Sequence, residues 1–255
     1  MRMETVYVER NGPIRTIWMN RPEKRNALNA EMRQLMTDIL RAPADPEDRV
    51  IVIRGQGGAF CSGLDMAERR GTLSGGGASG IEVLLRAIEL CPLPVVAVVQ
   101  GDAIAGGNEL ALHCDLVIAS EQARFGMSLA QIGLAPNWFL AKKLMEVLGP
   151  VTTREMLLLG DPLAATKLHA LGLIARCVPV DALDAEVARV VGRLAANAPL
   201  SLKAMKAMTV RQLEFRDQIP HEDIDALVRA TQSSADAQEG VQARLQKRHP
   251  NFTGR

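Results

Sequence analysis

Net charge is the first thing this chain of 255 residues lacks: 30 Lys and Arg side chains face 29 Asp and Glu, leaving a formal charge of +1. Without a clustered positive footprint, a broad surface for nucleic acid is excluded. Long apolar runs are missing too, none reaching the roughly 18 residues of a membrane helix. Met1 to Arg10 opens with polar and strand-forming residues, so the expected location is cytoplasmic. Cys61, Cys91, Cys114 and Cys177 never form C-x-x-C, and His113, His169, His221 and His249 are scattered with no H-E-x-x-H. Neither a disulfide framework nor a metal site is expected. No repeat recurs at a fixed period. Gly101, Gly106 and Gly107 are wrongly spaced for the dinucleotide fingerprint G-x-G-x-x-G, and no Lys-Ser/Thr follows to complete a phosphate loop.

What is present suits an α/β protein with a full core, at 47% hydrophobic and 23% charged residues. Residues 4–19 read as a hairpin turning at Asn11-Gly12-Pro13. Residues 28–40 read as a helix capped by Asn29, with Leu28, Met32, Leu35, Met36 and Ile39 on its apolar face. Short β-rich runs then alternate with helices to about residue 135. Beyond Gly149 the pattern predicts mostly helices, over 153–159, 164–171, 183–196, 200–213, 223–233 and 235–247. Residues 72–80 are rich in Gly and Ser and lack side chains that hold one conformation, which predicts a mobile segment.

Two strand-turn junctions carry the chemistry. Val95-Val96-Ala97-Val98-Val99 leads into Gly101-Asp102-Ala103-Ile104-Ala105-Gly106-Gly107-Asn108-Glu109, a buried strand, a glycine turn and a helix start. Gly106 and Gly107 let a ligand approach the backbone, and unpaired amides at a helix N-terminus favour negative charge. Glu109 lies in that first turn. Val50-Ile51-Val52-Ile53 leads in the same way into Gly57-Gly58-Ala59-Phe60-Cys61-Ser62-Gly63-Leu64-Asp65-Met66. An amide that stabilises an oxyanion beside a carboxylate that moves a proton suits a thioester enolate. Cys61 reads either as a nucleophile or as a small buried hydrophobe.

The Ala59-Phe60 turn with Gly63 and Asp65, followed by Gly106-Gly107, Glu109-Leu110-Ala111 and Cys114-Asp115, resembles the crotonase (enoyl-CoA hydratase/isomerase) superfamily. The resemblance begins at Asn20-Arg21-Pro22 and runs through Ala123-Arg124-Phe125-Gly126, Gly149-Pro150, Leu159-Gly160-Asp161 and Ala170-Leu171-Gly172-Leu173-Ile174 to Lys247-Arg248-His249-Pro250. It implies a crotonase-like spiral of repeated ββα units over residues 1–195. A C-terminal helical region over 196–255 would build a homotrimer, often paired into a homohexamer. It also implies an acyl-CoA thioester as substrate, with no cofactor beyond the coenzyme A (CoA) that the substrate carries, and a lid at residues 72–80.

Carried over residue by residue, the resemblance assigns the oxyanion amides to Leu64 and Gly106 and the acid/base carboxylate to Glu109. Burial would raise the pKa of such a carboxylate toward neutrality. The CoA portion falls to Lys24, Arg25, Ala27, Ala59, Leu64, Asp65 and Met66, with Lys247 reaching in from a neighbouring subunit. Two departures stand out. The second glutamate of the hydratases falls on Leu129, and the aspartate that other branches use falls on Asn137, which cannot ionise but can orient water or a carbonyl. Trp138 reads as acyl-pocket wall or as packing, and Asp115 as a structural cap or ion-pair residue. The implied reaction is hydration of a 2-enoyl-CoA by water that Glu109 activates. Double-bond isomerisation, hydrolysis or decarboxylation of an acyl-CoA, and non-catalytic acyl-CoA binding are the alternatives.

Overall fold

β1 (Val6–Asn11) and β2 (Ile14–Met19) form the expected hairpin, paired from Val6↔Met19 to Asn11↔Ile14. The computed structural model describes residues 4–69 and 80–254. The predicted mobile segment and lid at 72–80 therefore lie, apart from Gly80, outside the described residues. α1 (Ala30–Arg41) starts where Asn29 was expected to cap it, the Asn29 side chain accepting the Met32 N–H at 2.9 Å. Its buried face is narrower than predicted. Met32, Met36 and Leu40 are buried, but Leu35 is 38% exposed and Leu28 stands before the cap, bridged to Leu64.

β3 (Val50–Gly55), β4 (Val95–Val99), β6 (Leu116–Ser120) and β9 (Arg176–Val178) extend the hairpin into a six-stranded sheet of order β1-β2-β3-β4-β6-β9. Every pairing beyond the hairpin is parallel. Alternate side chains go to opposite faces. Ile51, Ile53, Val95, Ala97 and Val99 meet Met32 and Met36 together with Leu84, Leu85 and Ile88 of α3 (Ile81–Leu90). Val50, Val52, Val96 and Val98 meet Leu183 and Val191 of α7 (Leu183–Ala196). Both faces are covered, which is why these strands read as unbroken apolar runs. Each such buried Val, Ile, Leu or Met side chain contributes about 1.5–3 kcal/mol.

After the first turn comes the short α2 (Met66–Arg69), and a small second sheet of β5 (Ala103–Ile104), β7 (Arg124–Gly126) and β8 (Leu163–Ala164) adjoins α4 (Gly106–Leu112) and α6 (Ala165–Ala170). α5 (Trp138–Arg154), whose start the sequence pattern did not announce, kinks at Gly149, φ 66°, just before Pro150. Proline lacks the N–H that would continue the ladder. α8 (Pro199–Leu213) is pinned to the core by Lys206, whose Nζ donates to the Ile88 and Leu93 carbonyls at 2.9 and 3.1 Å and to Asp115 at 2.6 Å. Asp115, whose ion pair with Lys206 is one of the two roles expected of it, also accepts the Val95 N–H at 2.7 Å. α9 (Glu222–Ser233) and α10 (Ala235–Gln246) follow, Ala237 packing on Ile132 and Leu134. No helix among the described residues is long and apolar enough to cross a membrane.

Candidate active site

The two turns are stitched together by backbone. Phe60 and Cys61 both donate to the Asp102 carbonyl at 3.1 Å, and Ile104 donates to the Cys61 carbonyl at 2.9 Å. Leu28 donates to Gly63 O at 2.7 Å and accepts from Asp65 N–H at 3.0 Å. This bridge passes over Leu64 and leaves the Leu64 N–H unused; among the described residues neither it nor the Gly106 N–H has an acceptor. A Cβ on Gly106 would stand 3.5 Å from Leu64 N and 2.7 Å from Ile81 Cδ1, and one on Gly107 only 2.1 Å from the Cys61 carbonyl. Only glycine permits this approach. Ala105, just before, is held at φ 50°, ψ −117°, a conformation costing about 1–3 kcal/mol that concentrates at functional sites.

Beside these amides opens a cavity of about 590 Å³. Lys24, Arg25, Ala27, Leu64, Met66, Gly106 and Asn137, all expected at the site, line it, and Leu129 gives it an apolar wall. Four expected residues do not line it. Ala59 lies by a separate 440 Å³ hollow, its carbonyl accepting from Asn26 and Gln100 at 2.9 and 3.0 Å. Asp65 pairs with Arg21 at 2.9 Å. Lys247 is exposed and ends α10 in a left-handed conformation, φ 54°. Arg25 reaches the cavity but shares Asp102 with Arg124, at 2.7 and 2.8 Å.

Glu109, the fourth, is sealed. Its carboxylate has no accessible surface and, among the described residues, no hydrogen-bond partner on either oxygen. Burial holds its pKa well above the ordinary carboxylate range, against the opposing pull of Lys143. His113 Nδ1 lies 3.7 Å from Glu109 Oε2 and 2.7 Å from the Glu109 carbonyl, an acceptor that places the ring proton on Nδ1. Burial, then the charge of Lys143, pushes the His113 pKa down to about 3, so the ring is neutral.

Cys61 is also fully buried, its thiol pushed up to about 12 by burial, which fits the small-hydrophobe reading. Trp138 does not line the cavity; it stacks on His221 at 4.6 Å and donates to the Arg216 carbonyl at 3.2 Å, fastening α5 to the C-terminal helices.

Asn137 caps α5, accepting the Leu140 N–H at 3.0 Å, while its Nδ2 donates to Glu82 Oε1 at 2.5 Å. Glu82, on the first turn of α3, lines the cavity and was not foreseen. Nor were Asp225 and Arg229 of α9 or Arg244 of α10. An acidic first-turn residue and scattered helix charges are everywhere in this chain, so no local signal distinguished these four.

Two amides with no acceptor among the described residues thus converge on one cavity, one of them from a strained glycine turn. Residues 9–255 match the enoyl-CoA hydratase/isomerase family. The chain belongs to that family. It is 33% identical to enoyl-CoA hydratase EchA19 of Mycobacterium tuberculosis over 97% of this chain and 96% of that one. It is 31% identical to 1,2-epoxyphenylacetyl-CoA isomerase of Escherichia coli over 99% of this chain and 100% of the other. The crystal structure of methylmalonyl-CoA decarboxylase complexed with 2S-carboxypropyl-CoA superposes with a TM-score of 0.91 at 27% identity, covering all of both chains. This member of the enoyl-CoA hydratase/isomerase family is an acyl-CoA enzyme, and the expected crotonase-like α/β fold with C-terminal helices is borne out.

Proposed function

We propose that this enzyme adds water to a 2-enoyl-CoA to give a 3-hydroxyacyl-CoA, with Leu64 and Gly106 holding the thioester oxygen and Glu109 handling the proton. The observation that carries the reading is the pair of unused N–H groups beside the cavity, one turn of helix from a buried carboxyl with no hydrogen-bond partner among the described residues. Water attacks C3, the π electrons move toward the carbonyl, and the oxyanion gains two hydrogen bonds that the free enzyme leaves open. Lys24, Arg229 and Arg244 line the same cavity with no ion-pair partner among the described residues, which suits the phosphates of CoA. The relatives' names include a hydratase and an isomerase. Isomerisation is the second reading, favoured by the apolar Leu129 where a water-holding carboxylate would stand.

Incubation with 2-enoyl-CoA and 3-enoyl-CoA thioesters, followed by mass, separates the two: hydration adds the mass of water, isomerisation adds none. Failure of crotonyl-CoA, acetyl-CoA and CoA all to bind at millimolar concentration would remove both.

The enzyme is further proposed to act as a homotrimer or homohexamer through residues 196–255, supported by exposed Leu200, Met205, Met208, Phe215 and Leu227. Lys247 would then serve a neighbour's CoA. Sedimentation should show an oligomer, and Lys247→Ala should weaken CoA binding by about 1–2 kcal/mol; a monomer at micromolar concentration contradicts this.

A further inference from the structure

We infer that Glu82, held by Asn137, is a second proton-moving carboxylate of this site, taking the proton from water while Glu109 supplies one to the carbon beside the thioester. The inference rests on the hydration reading. Hydration removes a proton from water at one carbon and delivers a proton to its neighbour, and two separate carboxyls can divide that work.

The carboxylate in the cavity wall is Glu82, not the sealed Glu109. Ile81, the residue before it, places Cδ1 2.7 Å from where a side chain on Gly106 would begin, so α3 brings Glu82 to the oxyanion turn. Asn137 fixes its orientation. Because Asn137 Oδ1 is occupied by the Leu140 N–H, its Nδ2 is left to Glu82 Oε1, across 55 residues of sequence. Among the described residues Glu82 Oε2 keeps no partner, and no Lys or Arg lies within 4 Å of either oxygen. The other charged residues lining the cavity are Lys24, Arg25, Asp225, Arg229 and Arg244. Among the described residues, therefore, no structural ion pair accounts for Glu82.

In the step, a Glu82 oxygen accepts a proton from water as the water oxygen bonds to C3. The C2–C3 π pair shifts to form the enolate, held at oxygen by Leu64 and Gly106. The enolate then collapses and C2 takes the proton of neutral Glu109. Glu82 ends protonated and Glu109 ends as carboxylate, and passage of that proton from Glu82 to Glu109 before the next turnover restores both.

Crotonyl-CoA hydration by the purified full-length enzyme tests this. Glu82→Gln should lower kcat about 100-fold with KM within about threefold. Glu82→Asp keeps the charge and should recover about a tenth of the wild-type rate; it also serves if the Gln variant melts early. Asn137→Ser keeps a capping oxygen but loses the amide donor, and should lower kcat about tenfold at unchanged KM and melting temperature. A wild-type kcat in Glu82→Gln, or a raised KM alone, overturns the inference while an inactive Glu109→Gln leaves hydration standing. A wild-type enzyme that binds crotonyl-CoA but adds no water to it removes the hydration reading and the role of Glu82 with it.

Discussion

Glu89 and Glu109 are both buried glutamates in neighbouring helices, and both feel the charge of Lys143, yet their environments send them in opposite directions. Burial alone would raise Glu89, but Lys143 at 2.6 Å, with further help from Arg86, brings its pKa below the ordinary range. Glu109 has no such contact and is raised. The difference teaches that depth does not decide whether a carboxyl is a fixed anion; a partner within hydrogen-bonding distance does. Glu89, Lys143 and Glu146, the last 3.2 Å from Lys143, form a structural cluster. Glu109 keeps its proton available for chemistry.

Removing the proton-transfer group should produce the largest effect. Glu109→Gln should reduce turnover by roughly 10²–10⁴-fold with CoA affinity nearly unchanged, while Glu89→Gln should cost stability and leave kcat per folded molecule intact. A wild-type rate in Glu109→Gln would mean that another group carries the proton. Next in size is the loss of the cation: Lys143→Met strands Glu89 and Glu146 and should cost about 3 kcal/mol in denaturant unfolding. A loss below about 1 kcal/mol would make the cluster no more than a surface-type pair.

The smallest effects are in pH. A raised carboxyl is protonated in the fold where the unfolded chain is ionised, so the Glu109 contribution to stability is full below the unfolded value of about 4.3 and lost as pH rises through the folded pKa. The advantage of Glu109→Gln over wild type should therefore grow with pH. Glu89, with a lowered pKa, contributes above about 4.3 and loses its contribution as pH falls. His113, at about 3 in the fold, disfavours the folded state as pH drops below the unfolded value of about 6.5. Comparing Glu109→Gln with Glu109→Gln/His113→Gln should show the single variant losing about 1 kcal/mol relative to the double between pH 7 and 5.5. Parallel curves would mean that His113 titrates in the fold as it does in the unfolded chain.

Much of the fold was legible because its cues are local. The Asn29 cap, the Gly12-Pro13 turn and the apolar runs at Val50 and Val95 each act within a few residues. The Leu64 and Gly106 turns were legible for the same reason, since Gly106 and Gly107 announce a close approach of backbone. The start of α5 was not legible because its cap, Asn137, acts through a side-chain bond to the Leu140 N–H that the sequence pattern does not display. Trp138 was ambiguous because an indole beside a pocket and one in a joint look alike until His221 and Arg216 are placed.

By itself, the sequence determined family membership, the strand-turn-helix junctions and the identity of the carboxylate in the Gly-Gly turn, all properties of short segments whose backbone has few alternatives. Only the tertiary structure decided that Glu109 is sealed, that Glu82 stands in the cavity wall on the amide of Asn137, and that α9 and α10 bring Arg229 and Arg244 to the same space. The reason is physical. Whether a charged side chain is solvated, paired or stranded depends on what residues far along the chain place beside it, and that energy exists only once the helices have packed.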